Sequence, residues 1–174
     1  MTELTLHPQP LTPEHFAPFG HVIALHGHAE PLPHWPINDG HAMRYELLRD
    51  LQLQADGGVP MMAIFRAPPR QFPLAITALE RHALGSQTFV PLGNKRFLVV
   101  VAAPGSAPQA DALHAFITDG QQGIVLAPGT WHHALLAVDG GDFVVIERAA
   151  AQVDCEVVQL AQPVQVQVQL QGQG

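Results

Sequence analysis

The chain is poor in the residues that announce several functional classes. Its 174 residues include one cysteine, Cys155, so an internal disulfide is impossible and a reducing cytoplasm is the natural setting. Lysine and arginine together number 8 against 15 acids, a net charge of −7, and nowhere do they cluster. A nucleic acid or an anionic membrane surface is therefore disfavoured as a partner. No apolar run approaches the length of a membrane span, and the start Met1-Thr2-Glu3-Leu4-Thr5-Leu6 lacks the basic and then apolar order of an export signal. Charged residues amount to only 13% while hydrophobic ones reach 47%, which excludes a disordered chain and fits one domain with a real core. Because bases are few, each arginine in an apolar segment calls for a carboxylate partner or an anionic ligand.

Turn chemistry, by contrast, is abundant: 15 glycines and 16 prolines punctuate short β-branched and aromatic runs. Glu3–Leu6, His21–Leu25, the loosely alternating 43–53, Pro60–Arg66, Thr88–Leu92, Phe97–Ala102, Gly123–Leu126 and Phe143–Glu147 read as strands. Phe97–Ala102 is apolar throughout and central, with Gly93-Asn94-Lys95 as a hairpin-type turn before it. Thr12-Pro13-Glu14 marks a brief helix, and Ala110–Phe116 a helical turn carrying His114 on its surface. Residues 26–40, rich in Pro, Gly and His with Asn38-Asp39-Gly40, form an irregular surface loop, and the ligand-like His26-Gly27-His28 belongs to it. Strands of this length, at this spacing, with little helix indicate an all-β antiparallel sandwich or barrel. One domain spans 1–162. The tail 163–174 alternates Val and Gln and forms an edge strand or a strand lent to a second subunit.

Two polar blocks stand out within these strands. Glu80-Arg81-His82 places a carboxylate and an imidazole at alternate positions, hence on one face of a strand, with Ser86-Gln87 following. Pro128-Gly129-Thr130-Trp131-His132-His133 adds an imidazole after a glycine turn. Polar groups on an inward face are costly unless satisfied. Converging, Glu80, His82, Gln87 and His132 make a divalent-metal or proton-transfer site. The structural alternative pairs Glu80 with Arg81 or Arg96 at the surface and has His82 cap a turn. His133 is either a proton donor or a core or interface histidine, since it points away from His132 on a strand. Arg66 and Arg44 are candidates to grip a carboxylate, Asn38 and Ser86 to bind an amide-like group, and Trp131 and Phe89 to wall the pocket or fill the core.

The spacing of these blocks is similar to that of metal-binding cupins. Glu80, His82 and Gln87 occupy the first-motif positions and Gly129-Thr130-Trp131-His132 the second, with Glu in place of one His and Gln in place of the Glu. Leu79–Gln87, Ala115–Gly123 and Gly129–His133, with Ile37–Gly40, Arg44-Tyr45, Phe65-Arg66-Ala67 and Asp154–Val157, resemble the bacterial ureidoglycolate lyase family from about residue 3 to about residue 160. The resemblance implies a cupin-like β-barrel or jelly roll, a homodimer, and cleavage of ureidoglycolate into glyoxylate and urea in allantoin (purine) breakdown. It also implies a divalent metal, nickel or zinc, held by Glu80, His82, Gln87 and His132, with Glu80, His82, His132 and His133 as catalytic groups. Two alternatives stay open: a hydrolase that releases ammonia from the same substrate, and a non-catalytic cupin module that binds a small carboxylate.

Overall fold

A computed structural model describes residues 4–169. In chain order its strands are β1 (Leu4–Leu6), β2 (Gln9–Pro10), β3 (Gly20–Ile23), β4 (His34–Ile37), β5 (Ala42–Tyr45), β6 (Val59–Ala67), β7 (Leu74–Arg81), β8 (Gln87–Pro91), β9 (Phe97–Ala102), β10 (His114–Ile117), β11 (Gly123–Leu126), β12 (Trp131–His132), β13 (Leu136–Ala137), β14 (Gly141–Ala149) and β15 (Glu156–Val166). The one α-helix among the described residues, α1 (Pro13–Phe16), begins as its sequence dictates: Pro13 opens it and the Thr12 hydroxyl accepts from the His15 amide at 3.3 Å. The expectation of an all-β, cupin-like fold holds.

Two sheets face each other. One has the order β1-β15-β7-β12-β9-β10-β2, with β13 also on β9; the other runs β3-β11-β8-β14-β6. Strand β9 shows how alternation builds this architecture. Phe97, Val99 and Val101 enter a core shared with Phe89, Ile124, Leu126, Phe143 and Val145 of the facing sheet, so they mark the barrel interior. Leu98, Val100 and Ala102 point the other way, into a second cluster with Ile76, Leu79, Trp131, Leu136, Val164 and Val166. A strand buried on both faces must be apolar at every position, which is why Phe97–Ala102 carries no polar residue. Phe97 and Phe143 meet edge-on across the interior at 5.5 Å.

Several local expectations give way to tertiary context. Residues 26–40 are not wholly irregular: His34–Ile37 pairs with Ala42–Tyr45 as a two-stranded hairpin. Asn38, Asp39 and Gly40 supply the positive φ angles (52°, 54° and 86°) that its turn requires. Ala110–Ala112 is a single 3-10 turn, and His114 begins β10 instead of sitting on a helix, its ring 5.3 Å from Phe19. Gly93-Asn94-Lys95 links strands of different sheets, so it is a crossover and not a hairpin. The start of the Val/Gln tail is no edge: β15 lies between β1 and β7, and Val164 and Val166 are fully buried. Residues 170–174 of that tail lie outside the described residues.

Candidate active site

The register of the sheets places the polar blocks. Glu80 of β7 lies opposite His132 of β12, and His132 lies opposite Val101 of β9. Cross-strand partners share a face, and Val101 is an interior residue, so Glu80 and His132 project into the barrel. Arg81 and Trp131, one residue away on each strand, project outward. There the Arg81 guanidinium lies 4.4 Å from the Trp131 ring and pairs with Glu156 at 2.7 Å. Arg96 is committed to Asp139 at 2.8 Å. Neither arginine therefore neutralises Glu80, and the surface-pairing alternative falls.

His82 follows β7 and closes the group. Potential ligand atoms of Glu80, His82 and His132 all lie within 4.8 Å of one another, and the two imidazole rings are 5.2 Å apart. The turn before β12 is tied to this group, because the Gly129 amide donates to the His82 carbonyl at 2.7 Å. Gly129 sits at φ 81°, a conformation a side chain would strain.

Each imidazole is oriented by its other nitrogen. His82 Nδ1 lies 2.7 Å from the Asp154 carbonyl and His132 Nδ1 lies 3.1 Å from the Thr130 carbonyl. A carbonyl can only accept, so Nδ1 carries a proton in both rings, and in the neutral imidazole Nε2 presents a lone pair. Both Nε2 atoms are buried and without a hydrogen-bond partner. His132 Nε2 is 3.5 Å from Glu80 Oε1, too long for a good hydrogen bond. The adjacent His132 ring still holds the Glu80 carboxyl below its ordinary range, outweighing the opposing effect of burial. Glu80 Oε2 accepts a weak contact from the Cys155 thiol at 3.7 Å. Burial, and then the Glu80 charge, push that thiol's pKa up.

Gln87 enters from the opposite sheet. It lies opposite Leu126, an interior residue, and so faces the same interior from the start of β8. Its amide nitrogen donates to Glu147 Oε2 at 2.8 Å, while its amide oxygen is buried without a partner. Two imidazole nitrogens and a carboxylate, with the imidazoles fixed from behind, form a donor set that suits a divalent cation.

The remaining candidates are placed as follows. Burial lowers the His133 pKa, and its Nδ1 faces the Ala134 carbonyl at 2.9 Å. Arg66 is exposed and engaged by both oxygens of Asp142. Arg44 and Asn38 belong to the β4–β5 hairpin, where Arg44 lies 5.5 Å from the Trp35 ring and 3.7 Å from Glu46. The Ser86 hydroxyl donates to the Leu51 carbonyl. Trp131 fills the outer cluster and Phe89 the interior core. Reading by spacing alone missed Glu147 and Asp154, which hold Gln87 and His82. It also missed Cys155 beside Glu80.

A cupin-like β-barrel with a cluster of polar groups that converge on one point defines the class of this protein: an enzyme of cupin-like fold that works on a small molecule. A family model described as Ureidoglycolate lyase matches residues 3–167. The chain belongs to the ureidoglycolate lyase family. It is 46% identical to a ureidoglycolate lyase of Burkholderia cepacia over 86% of this chain and 83% of that protein. With those of Pseudomonas syringae pv. syringae and Pseudomonas fluorescens (strain Pf0-1) the identities are 42% and 40%, over 85% and 87% of this chain and 85% and 89% of theirs.

Proposed function

We propose that this protein is a ureidoglycolate lyase that eliminates urea from ureidoglycolate to leave glyoxylate, in allantoin breakdown. The observation that carries the chemistry is the triad of Glu80, His82 and His132, with both imidazole Nε2 atoms buried, unpartnered and turned to one point. Glu80, His82 and His132, joined by Gln87, would hold a divalent ion such as nickel or zinc. Such an ion, when bound, supplies Lewis acidity and a template for the substrate's hydroxyl and carboxylate oxygens.

The reaction needs little else from the chain. The substrate's central carbon carries a carboxylate, a hydroxyl and the ureido nitrogen. The hydroxyl loses its proton, its oxygen forms the new carbonyl, and the C–N electron pair leaves with the nitrogen, which takes a proton. His133 Nε2, its ring anchored through Nδ1, takes the hydroxyl proton and returns it to the departing nitrogen. Glu80, kept ionised, partly offsets the burial that lowers the His133 pKa.

The protein acts as a cytoplasmic homodimer. Supporting this is a run of exposed apolar side chains on β6, including Met62 at 70% and Ile64 at 63% exposure, with Trp35, Met43 and Tyr45 exposed on the hairpin. No described helix is long and apolar enough to cross a membrane.

The test is product analysis. Purified protein incubated with ureidoglycolate should release urea and glyoxylate in equal amounts, and a chelator should suppress both. Ammonia as the nitrogen product would favour a hydrolase, and no turnover with retained binding would favour a binding module.

A further inference from the structure

Glu80 and His132 have to meet for the site to exist, yet the strands that carry them share little backbone. Strand β12 is two residues long, and its ladder with β7 is the single pair Glu80–His132. The Gly129 amide on the His82 carbonyl adds one further tie. A ladder this short is weak by itself, so the approach of the two side chains depends on what packs behind them.

Behind them lies Arg81. It follows Glu80 on β7 and faces out of the barrel, as Trp131 does beside His132. The guanidinium carbon stands 4.4 Å from the centroid of the fully buried Trp131 ring. Its Nη1 donates to the Gly105 carbonyl at 2.7 Å, and the Trp131 indole nitrogen donates to the same oxygen at 3.2 Å. The other side of the fork reaches Glu156 Oε2, from Nε at 2.8 Å and from Nη2 at 2.7 Å. Glu156 lies opposite Arg81 on β15, and Val157 lies opposite Glu80. Just before Glu156 come Cys155, whose thiol reaches Glu80, and Asp154, whose carbonyl holds the His82 ring. One planar cation therefore fastens β7 to β12, to β15 and to the loop 103–109 that follows β9. A guanidinium can stack on a ring while its edge serves two acceptors, which a lysine ammonium cannot.

We propose that Arg81 is a positioning residue for the site: by clamping Trp131, Gly105 and Glu156 behind the Glu80–His132 pair, it sets the spacing of the groups that would hold the cation. Arg81 faces away from the barrel interior, so its influence passes through Glu80 and His132. The role rests on the reading of Glu80, His82 and His132 as a cation site, and not on the identity of the substrate.

The experiment titrates zinc calorimetrically into the full chain after removal of bound metal, and measures kcat and KM for ureidoglycolate, in wild type, R81K, R81Q and R96Q. R81Q should bind zinc about tenfold to a hundredfold more weakly and lose a similar factor in kcat, with KM within about threefold. R81K should fall between R81Q and wild type, because it keeps the charge without the fork. R96Q breaks a two-pronged pair with Asp139 at the other end of β9 from the Val101–His132 contact. It should lose melting temperature while keeping zinc affinity and kcat. Wild-type zinc affinity in R81Q overturns the proposal. So does an equal loss in R96Q, which would make the effect one of general stability. Should R81Q fail to fold, wild-type zinc affinity in R81K overturns the proposal in its place. If wild type binds zinc, R81Q binds it more weakly and neither turns over ureidoglycolate, the role of Arg81 stands and the lyase reading falls. A wild type that binds no zinc overturns the proposal together with the cation site.

Discussion

The amide of Gln87 is oriented by Glu147, to which its nitrogen donates at 2.8 Å from the neighbouring strand β14. A carboxylate accepts only, so the partnership forces the Gln87 oxygen toward the barrel interior, where it is buried without a hydrogen-bond donor. The pair makes an amide behave as a fixed acceptor.

From this follows a first prediction. In E147Q the neighbouring amide can both donate and accept, so Gln87 is free to turn its NH2 group inward. Divalent-cation affinity, measured by calorimetric titration, should fall about tenfold. The melting temperature of the cation-free protein should change little, since the two side chains can still hydrogen-bond. Unchanged affinity would remove Gln87 from the donor set.

Glu80 gives the second. E80Q preserves shape but loses charge beside two lone-pair nitrogens. Turnover should drop by about a hundredfold or more. Wild type should gain melting temperature on titration with zinc or nickel, because a ligand bound only by the folded state stabilises it by mass action. E80Q should gain much less, which differential scanning calorimetry would register.

A third concerns the turn that presents His82. The Asp154 carboxylate accepts the Ala83 and Leu84 amides at 3.0 and 2.7 Å, while its own carbonyl holds the His82 ring. D154A should cost about 1–3 kcal/mol in urea denaturation. Hydrogen exchange should accelerate at Ala83 and Leu84 while the β9 amides stay protected.

Acid should erase a fourth contribution. Hydrogen bonding from Arg96 holds the Asp139 carboxyl below its ordinary value. A group depressed on folding stabilises the protein above its unfolded pKa, and that contribution disappears as pH falls through the folded one. Both side chains are partly exposed, so the effect is about 1 kcal/mol or less. D139N should be less stable than wild type at neutral pH, and the two should converge in urea denaturation well below pH 4.

The fifth tests association. Met62 and Ile64 lie on the same face of β6, the last strand of its sheet, and both are exposed. In sedimentation, M62K and I64E should each break the dimer, with secondary structure unchanged in each. A wild type that sediments as a monomer would refute the dimer outright.

What the sequence made legible was whatever a strand's own period encodes. Glu80 and His82 could be placed together because alternate residues share a face, and Phe97–Ala102 could be placed centrally because no polar residue interrupts it. Contacts between distant segments carry no such period. Glu147 meets Gln87 across 60 positions and Asp154 meets His82 across 72, so neither support was readable from spacing. Strand β4 was read as loop because it exposes nearly every residue and shows no buried alternation. Arginines selected by their apolar neighbourhood, Arg66 and Arg44, have acid partners that only the folded structure reveals.

The central claim is that the Glu80–His82–His132 site releases the ureido group intact. Ureidoglycolate carrying 13C at the ureido carbon, followed by NMR during turnover, tests it most directly. The label is expected in urea, at the same rate as glyoxylate forms and far more slowly in E80Q. Label emerging as bicarbonate together with free ammonia, or equal rates in wild type and E80Q, would contradict it.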